Sequence, residues 1–165
     1  MKKFYVNEKF FSIGDQFDIL DETMKPVYKV KEKLFTIGKQ FYFADVSGNV
    51  LAFCKQRLFR FLPQYRLFMG ERLVATVKKR FTVFVKKYDI LSEDGDFTIE
   101  GDILAWNFNI KKDGNVICNV HKNYTLFKDK YEITVEDGFN EVMALSLVII
   151  LDAVHHDSKS QNRRY

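Results

Sequence analysis

The chain has 165 residues, a formal charge of +4, 47% hydrophobic residues, and an aromatic complement dominated by 17 Phe and 8 Tyr. That length suits one domain with a sizeable core, and that apolar content excludes a disordered chain. Charge is unevenly spread: from Lys55 to Lys87 ten basic residues face Glu71 alone, making the segment net +9 and the remainder net −5.

In chain order, the alternation of apolar and polar residues predicts short strands at Lys3–Val6, Gln16–Leu20, Val27–Lys31, Leu34–Ile37, Gln40–Val46 and Val50–Lys55. Further strands are predicted at Tyr65–Met69, Arg72–Lys78, Phe81–Ile90, Phe97–Glu100, Trp106–Ile110, Val116–His121 and Tyr131–Val135. Turn chemistry separates them: Asp21 to Pro26 is a polar connection, Ser47-Gly48-Asn49 and Gly70-Glu71 are hairpin signals, and Lys112-Asp113-Gly114-Asn115 is the clearest turn. The set amounts to roughly twelve strands, with no helical period in the first 135 residues.

Near the start, Asn7, Glu8 and Lys9 interrupt any apolar region of the length that a signal peptide needs. The expected compartment is therefore the cytoplasm. Cys54 and Cys118 sit inside strand-like runs without CxxC spacing. They are expected to be small, reduced core residues.

Val142 to Leu151 breaks the pattern, with ten residues free of charge and Ser146 as the single polar side chain. Such a helix is apolar on every side and must be buried on every side. At 1.5 Å per residue the run spans about 15 Å, short of the roughly 30 Å of a bilayer core. A core helix at about 140–155 is expected, closing a single domain at 1–156. Residues 157–165 are polar and are expected to form a disordered tail.

Blocks recur in the same order along the chain. Phe17-Asp18-Ile19-Leu20 returns as Tyr88-Asp89-Ile90-Leu91, and Tyr28-Lys29-Val30 is echoed by Phe97-Thr98-Ile99. Gly48-Asn49-Val50 returns as Gly114-Asn115-Val116, with Phe61 and Tyr65 matched by Phe127 and Tyr131. Two half-domains of about six strands each are implied. Twelve strands closed into a barrel enclose more space than side chains fill, and a helix about 10–12 Å across plugs it. The predicted fold is a mainly β, closed twelve-stranded antiparallel barrel of two six-stranded repeats around the apolar C-terminal helix.

These blocks, together with Asp45-Val46-Ser47-Gly48-Asn49-Val50-Leu51, Tyr65-Arg66-Leu67, Ile99-Glu100-Gly101, Tyr131-Glu132-Ile133-Thr134-Val135 and the closing Ile149-Ile150-Leu151-Asp152, resemble the LURP-one-related family. That family belongs to the tubby C-terminal-like superfamily, which also takes in the phospholipid scramblases. The resemblance implies a twelve-stranded barrel around a central helix and does not imply a catalytic activity. Tubby-like relatives bind phosphoinositides, and plant members are linked to defence.

Chemistry is sparse. His155-His156-Asp157 is the one cluster of metal-capable side chains, but adjacent helical residues point about 100° apart and do not converge on an ion. Electrostatic capping of a helix end is the plainer reading. His121 has no evident acid or nucleophile beside it in the sequence, and carboxylates such as Asp21-Glu22 and Glu93-Asp94 are explained by solvation and Asx turns. No nucleotide-binding Gly pattern or nucleophile elbow occurs. Neither a cofactor nor a metal is expected.

The basic segment invites a partner. Arg57, Arg60 and Arg66 lie in or beside the aromatic run Arg57-Leu58-Phe59-Arg60-Phe61-Leu62-Pro63, and Lys78, Lys79 and Arg80 precede Phe81 at an expected hairpin. These six are the candidate anion- or lipid-binding residues. Cations near an anionic bilayer contribute about 1 kcal/mol each, and loop Phe side chains insert at the interface. The competing reading is that Lys and Arg solvate strand faces and guard edges. A non-enzymatic binding or scaffold domain is expected, touching anionic phospholipid peripherally or a protein partner. A carrier barrel for a small apolar ligand and a structural role are the alternatives. Nucleic acid is disfavoured because the rest of the chain is net acidic.

Overall fold

Period-two burial builds the wall: in the strand Gln64–Met69, Tyr65 and Leu67 are fully buried between the half-buried Gln64, Arg66 and Phe68. The computed structural model describes residues 1–7, 16–33, 35–82, 87–122 and 130–162, with side chains as far as His155. Twelve strands and one helix lie among them. The strands are β1 (Lys2–Asn7), β2 (Gln16–Asp21), β3 (Pro26–Glu32), β4 (Gln40–Asp45), β5 (Val50–Gln56), β6 (Gln64–Met69), β7 (Arg72–Arg80), β8 (Lys87–Leu91), β9 (Phe97–Asp102), β10 (Asn107–Lys112), β11 (Asn115–Lys122) and β12 (Lys130–Val135). The helix is α1 (Glu141–Asn162).

Each strand pairs antiparallel with its sequence neighbours, and β1 closes the barrel on β12 over six residue pairs from Lys2↔Val135 to Asn7↔Lys130. Antiparallel neighbours in sequence order place the connections after the odd-numbered strands on one rim. Those after the even-numbered strands lie on the other.

The repeated blocks fall on strands six apart. β2 corresponds to β8, β3 to β9, β5 to β11 and β6 to β12. Register carries the same signature: the pairing slips between Phe43 and Ala44 on β4, and again between Ile110 and Lys111 on β10. A bulge bends and twists its strand, so bulges at matching places give both halves similar local curvature.

Asn140 starts the helix, its Oδ1 accepting from the Met143 amide at 2.9 Å. This is an N-cap bond that satisfies one of the free amides of the first turn. Glu141, the first helical residue, complements the positive end of the helix dipole and accepts from Tyr28 Oη on β3 and Lys2 Nζ on β1. From Val142 to His155 every residue of the helix is buried. Its side chains meet Ile19, Phe41, Phe43, Tyr65, Leu67, Val77, Ile110 and Val120 in one core cluster. The all-round apolar run is thus the axis of the barrel.

Three local expectations change. Residues 35–37, expected as strand, form part of a loop in which Phe35 has φ +58° and Phe35 and Ile37 are exposed, while Leu34 lies outside the described residues. A short apolar run reads as a strand by composition, but here nothing covers it. The stretch expected as one strand over Phe81–Ile90 is a longer β7 ending at Arg80 and a β8 beginning at Lys87, with 83–86 outside the described residues. The helix runs to Asn162, into the stretch expected to be tail, so His155 sits within it and not at its end.

Candidate functional site

On β5 and its continuation, Cys54 points inward, and Lys55 and Arg57 fall on the outer face. On β6, Tyr65 and Leu67 point inward, and Gln64 and Arg66 outward. Register sets Lys55 beside Arg66, and the Arg57 amide donates to the Gln64 carbonyl at 2.8 Å, extending the ladder one step past β5. Arg60 projects from the connection above them, fully on the surface side. The Arg57 guanidinium is held below its ordinary value, first by partial loss of solvent and then by the charges of Arg60 and Arg66. Like charges in proximity disfavour one another. No carboxylate among the described residues forms an ion pair with any of the three.

The remaining candidates behave differently. Lys78 on β7 lies opposite Asp89 on β8, with Nζ 3.9 Å from the carboxylate, and Arg80 pairs with the same Asp89. Lys79 shares the inward parity of Val77 and is registered with the buried Tyr88 at the barrel mouth. The six basic residues expected to act together therefore divide into an arginine trio, a pair that shares the single Asp89 carboxylate and one side chain facing the mouth. Sequence alone does not show this, because the division depends on strand register.

Charge is polarised along the barrel axis. The connections after β3, β5 and β7 contain no Asp or Glu in the sequence, and their described residues carry Lys33, Lys39, Arg57 and Arg60. On the opposite rim, Glu22, Glu71, Glu93, Asp113 and Glu136 lie in the connections, and Asp45 ends the strand leading into the remaining one. Among the described residues, the carboxylates that lie in connections all fall on that end, while Glu32 and Asp102 close strands at the other. Several still serve their own turns: Asp21 Oδ1 accepts from the Thr23 amide at 2.8 Å, and Asp45 Oδ1 from the Asn49 amide at 2.9 Å.

Two other polar groups occur away from the arginines. Outside the barrel, Glu132 is buried on β12 and accepts from Lys3 Nζ at 2.8 Å and Tyr5 Oη at 3.2 Å, with His121 Nε2 3.8 Å away. The strand pairing His121↔Glu132 thus supplies the carboxylate neighbour that the linear sequence hid. Inside the mouth, His155 Nδ1 lies 3.1 Å from Tyr88 Oη, and Asp152 is close enough to help burial push the Tyr88 hydroxyl up to about 12. Among the described residues no three His, Cys, Asp or Glu side chains gather as a metal site. No described helix is long and apolar enough to cross a membrane.

The family model for LURP-one-related proteins matches residues 2–152. The fold is similar to that of a protein from Arabidopsis thaliana solved by X-ray methods, with TM-score 0.69 and 21% identity, covering 93% of this chain and 91% of that one. No protein of curated function matches the sequence. With a family match spanning nearly the whole barrel and its helix, the chain belongs to the LURP-one-related family.

Proposed function

We propose that this protein is a non-catalytic binding domain that docks on anionic phospholipid headgroups through Arg57, Arg60 and Arg66. The observation that carries the reading is that strand register brings Arg57 and Arg66 to neighbouring places on the outer face, with Arg60 on the connection above them and no ion-paired carboxylate on any of the three among the described residues, beside connections that contain no acid. Repulsion among neighbouring like charges is relieved when an anion arrives, and guanidinium forks match phosphate oxygens. Lys78 and Arg80, already facing Asp89, add less. A ligand carried inside the barrel would need the space that α1 takes from Val142 to His155, so the carrier alternative has no support in the packing.

Co-sedimentation with vesicles tests the reading. Binding is expected to require anionic lipid and to weaken with salt, as exposed charge interactions do. At about 1 kcal/mol per cation near the surface, three cations amount to roughly two orders of magnitude in affinity. Arg57→Glu/Arg60→Glu/Arg66→Glu should therefore abolish sedimentation, and Lys78→Glu/Arg80→Glu should have a smaller effect. Unchanged binding of the triple variant would refute the site, and turnover in an unbiased substrate screen would refute the non-catalytic reading.

A further inference from the structure

We propose that Phe35, Ile37, Phe59 and Phe61, with Phe81 at their edge, form an apolar crown that enters the acyl boundary of an anionic bilayer while the arginines hold the headgroups. This rests on the headgroup reading above and adds penetration and orientation to it. All five side chains are exposed: Phe35 at 105%, Phe59 at 101%, Phe61 at 89%, Ile37 at 81% and Phe81 at 72%. They stand on the connections after β3, β5 and β7, consecutive along one rim. The five most exposed large apolar side chains thus stand on adjoining connections of one rim, while the less exposed Val46, Val50, Leu73, Leu91 and Val116 lie toward the other; single exposed apolar residues are ordinarily scattered.

The described parts of the first two connections are tied to each other and to the wall. The Lys39 amide donates to Gln56 Oε1 at 2.9 Å, and the Gln56 amide donates back to the Lys39 carbonyl at 2.9 Å, joining the first connection to the end of β5. A Cβ on Gly38, at φ +83°, would stand 2.7 Å from the Leu58 side chain, so the first two connections touch. The Lys79 amide donates to the Pro63 carbonyl at 3.2 Å, fixing the second connection to β7. Within this frame Phe35 and Phe59 have φ +58° and +57°, the left-handed region that bulky residues rarely occupy. Two separate connections therefore each hold a fully exposed Phe at positive φ, as Met24, Trp106 and Asp113 are held elsewhere in the chain. Strain held in place by surrounding bonds is a feature of ligand clamps.

The chemistry selects a bilayer surface as the occupant. The crown consists of exposed apolar side chains with cations interleaved, matching an interface where an apolar face sinks about 5–10 Å into the headgroup and acyl boundary. The opposite rim is acidic, so an anionic surface repels that end and attracts this one. The C-terminus of α1 points toward the basic rim, and its N-terminus toward the acidic one.

A fluorophore placed on the crown reads insertion directly. Cys54 and Cys118 are buried, with thiols pushed up to about 12, so a Phe59→Cys variant of the full chain takes an environment-sensitive label at one position. Ser47→Cys, on the acidic rim, is the control. With vesicles of mixed phosphatidylserine and phosphatidylcholine, the label at 59 is expected to shift to the blue and to be quenched by lipids spin-labelled near the headgroup, and the label at 47 to do neither. Phe35→Ser/Phe61→Ser, folded by circular dichroism, is expected to lose at least tenfold in affinity while keeping its salt dependence. Salt-sensitive binding with an unshifted, unquenched label at 59 would overturn insertion and leave the headgroup reading standing. No binding to anionic vesicles at all would overturn both.

Discussion

Tyr88 on β8 and His155 on α1 meet inside the barrel mouth, hydroxyl oxygen to Nδ1 at 3.1 Å, both side chains buried. The contact joins the wall to the plug at the end opposite the Asn140 cap. Phe17, at the equivalent place in the first half of the chain, shows that the fold accommodates a ring there without a hydroxyl. Tyr88→Phe should keep the packing and leave His155 one bond short. A lost bond to a buried polar group costs about 1–3 kcal/mol. The expected fall in melting temperature is about 2–4 °C per kcal/mol for a chain of this size, checked by thermal unfolding.

Acid should weaken the protein through two carboxylates that tie its elements together. Burial pushes Glu132 up, but the hydrogen bond and charge of Lys3, with the Tyr5 hydroxyl and His121, outweigh it and hold the group below its ordinary value of 4.5. At Glu141 burial likewise pushes up, and the bonds from Lys2 and Tyr28 outweigh it. A carboxylate depressed in the folded state binds its proton less readily there than in the unfolded chain. The stability it contributes is complete above pH 4.5 and is lost as pH falls through the lower folded value. Urea unfolding should show stability falling steeply below pH 4.5, and Glu132→Gln/Glu141→Gln should flatten that fall while lowering the plateau near neutrality.

Much of this architecture is legible in the sequence because burial is periodic. Alternation marks the strands, and the uncharged run at Val142–Leu151 marks the plug. Repeated blocks such as Gly48-Asn49-Val50 and Gly114-Asn115-Val116 give the two halves. Register is not legible: whether Lys78 faces Asp89 or solvent, or His121 faces Glu132, depends on which residues oppose each other across connections of unequal length. Exposed apolar tips are also hidden. Phe35 and Ile37 have the composition of a strand, and only a backbone turned to φ +58° distinguishes them. The candidate site is visible in the sequence as a basic segment, but the arginine trio emerges only when the segment is folded.

Gly101 should be the least replaceable glycine on the wall. It has φ +112°, and a Cβ there would lie 2.5 Å from the Asn107 carbonyl oxygen and 2.8 Å from the Phe108 Cα, both backbone of the paired strand β10. Backbone cannot step aside as a flexible side chain can. A disfavoured conformation alone costs on the order of 1–3 kcal/mol, and the clash adds to it. Gly101→Ala is therefore expected to destabilise by more than about 2 kcal/mol in urea unfolding. Gly48 provides the contrast: at φ +90°, a Cβ there would meet no heavy atom within 4 Å, so Gly48→Ala should cost only the conformational part.

Ser146 places the one hydroxyl of the apolar run at the centre of the barrel, 1% exposed, and its Oγ has no hydrogen-bond partner among the described residues. A buried hydroxyl without a partner gives up its bonds to water for nothing in return, a cost of about 1–3 kcal/mol. Alanine removes the oxygen, leaves only a small void and has the higher helix propensity. Ser146→Ala is thus expected to stabilise the protein by about 1 kcal/mol, raising the melting temperature by about 2–4 °C. Ser146→Leu, by contrast, should destabilise by about 1–3 kcal/mol, because a core packed on all sides does not admit the larger side chain. Calorimetry on the two variants separates the effects. A loss of 1 kcal/mol or more in Ser146→Ala would mean that the hydroxyl is bonded after all, and that its small size is not the reason a serine stands at the axis of the barrel.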